Sequence, residues 1–291
     1  MSQPRQQAPS LTDTQPEAEA FQIALFRRAS VAKRIRLLRS LSQTTIQLSR
    51  RALAETQAVT DRRELQLAFI TLNYGAALAD RLKDHLRVQH TKEVAVNPPD
   101  ILAALGPVID AFEQLGIAYH IGGSVASSAH GLPRTTVDID LVADLRAEHI
   151  APLVARLQDA YYVDEQMIRQ ALARRGSFNL IHLATMLKVD IFIPKGRAFD
   201  REAARRARPH PLEETAQART FYLASAEDVI LAKLEWYRAG GETSERQWRD
   251  VLGVLKVQAQ TLEVDYLKHW AEQLGLADLL ARALAKAGVS G

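Results

Sequence analysis

The sequence predicts an α/β (α+β) protein. It should have a small mixed sheet flanked by helices, a C-terminal helical bundle, and an N-terminal helical segment ahead of the sheet. Three observations predict this. Helical spacing dominates from about residue 14 to 87, helix alternates with strand from about 101 to 193, and helical periodicity returns from Ser225 onward. The implied divisions are a disordered tail over 1–16, a helical segment over 17–90 and a linker over 91–100. An α/β core over 101–224 and its helical continuation over 225–291 complete the chain.

The first residues, MSQPRQQAPSLTDTQPEAEA, lack the apolar stretch of a secretory signal and read as disordered. Phe21, Leu25, Ala29, Ala32 and Arg36 then recur at three-to-four spacing, as do Ile35, Leu38, Leu41 and Thr45. A further helix is predicted over 61–86, with Leu65, Phe69, Leu72, Leu78 and Leu82 on its apolar side. Asp61 and Glu64 resemble a helix-start pair, and Gly75 is tolerated inside. Helices this short bury little surface alone, so they should dock on the rest of the chain or on a second copy. Asn97-Pro98-Pro99 marks the linker, because proline disfavours helix in the residue before it. Beyond it the pattern gives a helix over 101–115, a strand over 118–121, a glycine turn and a short helix over 125–130. A strand over 137–142, a helix over 147–160 and strands over 179–182 and 187–193 follow.

Composition narrows the class. A hydrophobic fraction of 47% supports a sizeable core, and no apolar run reaches the roughly 18 residues of a membrane-spanning helix. Cysteine is absent, which excludes disulfides and thiolate metal sites and fits a cytoplasmic location. Charge is uneven: 15 basic and 9 acidic side chains precede residue 96, against 22 and 25 after it. A basic front suits nucleic acid or an acidic partner, or is simply a solvated face.

The chemistry concentrates in IGGSVASSAHGLPRTTVDIDLVADL, residues 121–145. Gly122 and Gly123 end a strand where a side chain would block close approach, and Ser124 opens a helix whose free N–H groups favour an anion such as a triphosphate. The same tripeptide would also serve as a plain strand-to-helix turn. Asp138 and Asp140 alternate with Val137, Ile139 and Leu141, so both carboxylates leave one face of a strand. Neighbouring carboxylates repel unless a cation lies between them, and Mg2+ is the usual answer. In MLKVDIFIPKG, Asp190 faces away from Leu187, Val189, Ile191 and Ile193, and a neighbouring strand would bring it to the other two acids. Phosphoryl transfer with two metal ions needs such a trio, although Asp190 has an ion pair with Lys188 or Arg134 as its alternative. Arg134 either touches phosphate or caps its loop. His130 caps or packs, Arg174 and Arg175 face an RNA acceptor or solvent, and His120 and His182 read as core histidines.

Gly-Gly-Ser, a short helix, Asp-x-Asp and a later strand Asp resemble the DNA-polymerase-β-type nucleotidyltransferase superfamily. Downstream, SAEDVILAKLEWYR and SERQWRDVLGVLK are similar to AbiEii- and MenT-type toxins of toxin–antitoxin systems. The resemblance implies that Ser124 binds phosphate and that Asp138 and Asp140 hold Mg2+. It also implies that Lys233 pairs with triphosphate oxygens and that Asp250 completes the site or orients Lys233. Read from the residues alone, Asp250 equally pairs with Arg246 one turn away, and Lys233 equally lies over Trp236 and Tyr237. The stretch from about 17 to 86 loosely resembles a MenA-type antitoxin, which implies an inhibitor fused in cis. The acceptor implied is a tRNA 3′ end. A small-molecule or protein hydroxyl, a non-catalytic nucleotide- or RNA-binding module and an oligomerising scaffold are the rival readings.

Overall fold

A computed structural model describes residues 15–56, 61–88 and 100–289. Four helices come first: α1 (Pro16–Arg28), α2 (Val31–Thr56), α3 (Arg62–Tyr74) and α4 (Ala76–Val88). The helix expected over 61–86 is two helices. Gly75 sits at φ 92°, a conformation open to glycine that ends one helix and re-aims the next. The expected start is formed, with Asp61 Oδ1 accepting from the Glu64 N–H at 2.9 Å. The tail up to residue 14 and the linker over 91–99 lie outside the described residues, while Asp100 caps α5 (Ile101–Gln114).

The buried face of α2 differs from the expected stripe. On α2, Ala32, Arg34, Ile35, Leu38, Ser42, Ile46 and Leu53 are buried and Leu41 is exposed, while α1 buries none of its residues and leaves Phe21 and Leu25 exposed. The polar Ser42 belongs to the inner face because its hydroxyl accepts from the Thr136 N–H at 2.9 Å, so its burial leaves no orphaned group.

The sheet has seven strands: β1 (Tyr119–Ile121), β2 (Asp138–Ala143), β3 (Tyr161–Tyr162), β4 (Ser177–His182), β5 (Leu187–Phe192), β6 (Arg208–Pro211) and β7 (Thr220–Leu223). Their order is β3-β4-β5-β2-β1-β7-β6. β2 runs parallel to β5 and β1 to β7, and the remaining pairs are antiparallel, so the sheet is mixed. Helices α6 (Gly123–His130), α7 (Ile150–Leu157), α8 (Glu165–Arg174) and α9 (Ala198–Arg206) connect the strands. A short 3-10 turn over Ala147–His149 replaces the start of the helix expected from 147, and α7 ends before 160. Helices α10 (Ala226–Ala239), α11 (Glu245–Gln258), α12 (Val264–Gln273) and α13 (Ala277–Ala287) form the C-terminal bundle.

Two cores flank the sheet. Ile139, Leu141, Val189 and Ile191 point into the larger one with Val108 and Phe112 of α5, and Ile35, Leu38 and Phe69 of the first helices join it. The second gathers Ala126 of α6 with Ile230, Leu234, Val254, Leu267 and Leu280 of the bundle. The alternate residues of β2 and β5 are left half-buried between these cores. Among the described residues, no helix is long and apolar enough to cross a membrane.

Candidate active site

Alternation along β2 puts Asp138 and Asp140 on the face away from Ile139 and Leu141, and the parallel register sets Asp140 directly beside Asp190 of β5. The structure thus brings the three acids onto one face of adjacent strands. β1 turns at Gly122, whose N–H donates to the Asp140 carbonyl at 2.9 Å, and α6 starts at once. Gly123 has φ +50°, and a Cβ there would fall inside the Asp140 carboxylate. The glycine therefore lets a carboxylate lie against the first turn of a helix, where the Ser124 N–H donates to it. Gly122 has open space around its missing side chain and no such constraint.

Burial pushes the Asp140 carboxyl up to about 6, and the charges of Asp138 and Asp190 push the same way against Lys233 and the Ser124 N–H. Burial also raises Asp190, opposed by Lys188. The pair left open for Asp190 is formed: Lys188 Nζ lies 2.5 Å from its Oδ2. Asp138 accepts from the Thr136 hydroxyl at 2.7 Å. Asn179 of β4 stands beside Asp190 in the register, and its Oδ1 is buried without a hydrogen-bond partner.

The opposite wall is cationic. Arg134 donates Nε to Asp250 Oδ1 and Nη2 to Asp250 Oδ2, both at 2.7 Å, and Nη2 also reaches the Ser124 hydroxyl at 2.7 Å. Lys233 Nζ lies 2.7 Å from Asp250 Oδ2 and donates to Gln247 Oε1 at 3.0 Å. Lys233 and Asp250 are buried, at 4% and 7% exposure. Burial alone would raise the Asp250 carboxyl, but the Arg134 hydrogen bonds and the Lys233 charge hold it below the usual carboxylate range. The surface pair of Asp250 with Arg246 is thus replaced by a buried pair with Arg134 and Lys233. Lys233 reaches inward, while Trp236 stays 58% exposed.

Gln247 and Asn179 were missed in the sequence. Gln247 lies three residues before Asp250 on α11, and Asn179 needed the strand register to be found. His130 hydrogen-bonds the Ala224 carbonyl through Nε2 at 2.8 Å, and His120 and His182 are buried, each held down to about 4 by desolvation. Arg175 donates to the Pro194 carbonyl at 2.9 Å.

The acids supply hard oxygen donors, the repulsion at Asp140 calls for a cation, and the Asn179 oxygen beside them is orphaned. These are the donor types that a divalent ion takes. Against it, Lys188 already engages Asp190, and among the described residues no three acidic or imidazole groups are drawn together as a ready ligand set.

No family model matches the sequence, and no curated relative does. Solved structures of similar arrangement include a solution structure of the antibiotic-resistance factor ANT(2'')-Ia, 15% identical with a TM-score of 0.39 over 63% of this chain and 93% of that one. A crystal structure of ANT(2'')-Ia with adenylyl-2''-tobramycin is 13% identical, with a TM-score of 0.40 over 60% of this chain and 95% of that one. An antigenic nucleotidyltransferase-like protein from Paracoccidioides brasiliensis is 17% identical, with a TM-score of 0.33 over 62% of this chain and 91% of that one. Likeness this distant carries no weight for function, which rests on the site itself.

Proposed function

We propose that the chain is a Mg2+-dependent nucleotidyltransferase, moving a nucleotide from a nucleoside triphosphate to an acceptor hydroxyl. The observation that carries this reading is the Asp140 carboxylate packed against the Gly123 backbone at a helix start. Asp138 and Asp190 stand beside it, and the Arg134–Asp250–Lys233 cluster stands across from it. Asp138 and Asp140, with Asp190 once Lys188 releases it, would hold Mg2+, which neutralises phosphate charge and lowers the pKa of a bound hydroxyl. The α6 N-terminus with Ser124 takes phosphate oxygens, and Lys233 and Arg134 supply positive charge to them. Asp190 would also accept the proton of the attacking hydroxyl.

The acceptor we favour is a tRNA 3′ end, in line with the toxin-like pattern of α10 and α11. We read the N-terminal helices as a restraint in cis. The Tyr74 hydroxyl donates to the Val137 carbonyl at 2.5 Å and accepts from the Lys188 N–H at 3.3 Å, so α3 touches the starts of both acid-bearing strands. Lys188 Nζ lies 5.4 Å from the centre of the Tyr74 ring, and the same ammonium holds Asp190.

The test incubates the full chain with Mg2+, each labelled nucleoside triphosphate and total tRNA, beside Asp140→Asn. Label on tRNA with the native chain alone supports the reading. Tight Mg2+–nucleotide binding without transfer to tRNA, by both the full chain and the loosened Tyr74→Phe variant, redirects it to a small-molecule or protein hydroxyl. Failure to bind nucleotide leaves a non-catalytic module.

A further inference from the structure

The site continues into two aromatic rings that the phosphate and metal chemistry does not use. Phe192 follows Asp190 by two residues on β5 and so leaves the same face of the sheet, one pleat further on. Trp236 follows Lys233 by one turn on α10. The two rings meet edge to face, with centroids 5.9 Å apart and planes at 68°. Phe192 is half-buried, but Trp236 keeps 58% of its surface exposed. The neighbouring acid would not repel a nucleotide, because Glu235 is neutralised by Arg197 at 2.6 Å and Lys195 at 3.1 Å. The strand that carries an acid and the helix that carries the buried lysine thus each lead, one step on, to the same aromatic corner.

We infer that Trp236, backed by Phe192, is the stacking platform for the nucleobase of the bound nucleoside triphosphate. This rests on the nucleotidyltransferase reading above, which puts the phosphates at Ser124 and Lys233. An indole face gives a base a broad π surface, and the contact with the Phe192 ring limits the freedom the indole loses on binding. Stacking of this kind accepts any base, since each has a π face.

The test uses the full chain with Mg2+ and two probes, ATP and inorganic tripolyphosphate, titrated by calorimetry. Trp236→Ala should weaken ATP about 5- to 150-fold and leave tripolyphosphate unchanged, whereas Trp236→Phe should keep most of the ATP affinity. ATP should quench indole fluorescence in the native chain but not in Trp236→Phe, which retains Trp248 and Trp270. Unchanged ATP affinity in Trp236→Ala overturns the platform and leaves the site reading intact. An equal loss for both probes also overturns it, since the damage then lies at the phosphate end or in the fold. A native chain that binds neither probe overturns both readings.

Discussion

Asp250 grips Arg134 through both carboxylate oxygens, at 2.7 Å each, across 116 residues of sequence. The same carboxylate holds Lys233, so one buried anion fixes two cations against the α6 start. Removing it leaves Lys233 buried and uncompensated, which typically costs about 3–5 kcal/mol. Asp250→Ala should therefore unfold at markedly lower temperature and lose nucleotide affinity. Arg134→Lys should lose affinity as well, because an ammonium cannot span Asp250 and Ser124 together. Thermal unfolding and ATP titration of both variants check this. Native-like melting of Asp250→Ala would show that the buried cluster is not structural.

The two glycines of the turn should behave differently. Gly123→Ala places a methyl inside the Asp140 carboxylate at φ +50°, so the acid must move or the turn must unwind. Gly122→Ala meets open space at φ −118°. We expect Gly123→Ala to abolish transfer and cost about 1–3 kcal/mol, while Gly122→Ala stays within about 1 kcal/mol and keeps activity. Equal activity in the two variants would remove Gly123 from the site.

How much of this was legible follows from what each signal depends on. Period-two alternation places Asp138, Asp140 and Asp190 on their strand faces without coordinates, and Gly-Gly-Ser before a helix marks the turn. The four-residue spacing of Arg246 and Asp250 offers a local partner, yet Asp250 turns inward to residues far away in sequence, which local spacing does not encode. Strands β3, β6 and β7 run two to four residues and carry little periodicity, with Pro209 and Pro211 in β6. Helix α8 does carry an apolar stripe, Met167, Ile168, Ala171 and Leu172 at helical spacing, and was readable in principle, whereas α9 is rich in charge and buries only Phe199 and Ala203. Gly75 looked tolerable within a helix because sequence does not show that φ is positive there. The burial of Ser42 depends on Thr136, 94 residues on.

Tyr74 offers a test of the helical segment. Its hydroxyl bridges a carbonyl and an N–H at the start of the β2–β5 ladder, and burial raises its pKa well above the usual phenol range. Tyr74→Phe leaves both backbone groups short of a partner, at a cost of about 1–3 kcal/mol. Under restraint in cis, stability should fall while transfer rises, because the contact with the acid strands loosens. Opposite signs for the two readouts separate release from general damage. A parallel fall in both would show that α3 supports the site.

Asp140 links the site to pH. Its carboxyl titrates near 6 in the folded chain against 3.8 for an ordinary aspartate, with burial the main cause and Asp138 and Asp190 adding to it. Between these values the folded state binds more protons than the unfolded state, so this group makes stability fall as pH rises from about 4 to 6. Above 6 the full penalty applies, on the order of 2–3 kcal/mol. Three buried histidines, His120, His130 and His182, are held down to about 4 by burial and act in the reverse sense, since they lose stability as pH falls through the same range. The Asp140→Asn variant separates these effects, because it keeps the histidines and cannot ionise at 140. Without metal it should be more stable than the native chain at pH 7.5, and the gap should close by pH 4. Mg2+ should then raise the melting temperature of the native chain at pH 7.5 and leave the variant nearly unmoved, because the repulsion the ion relieves is already gone. A native chain that melts alike with and without Mg2+ would show that these carboxylates hold no such ion.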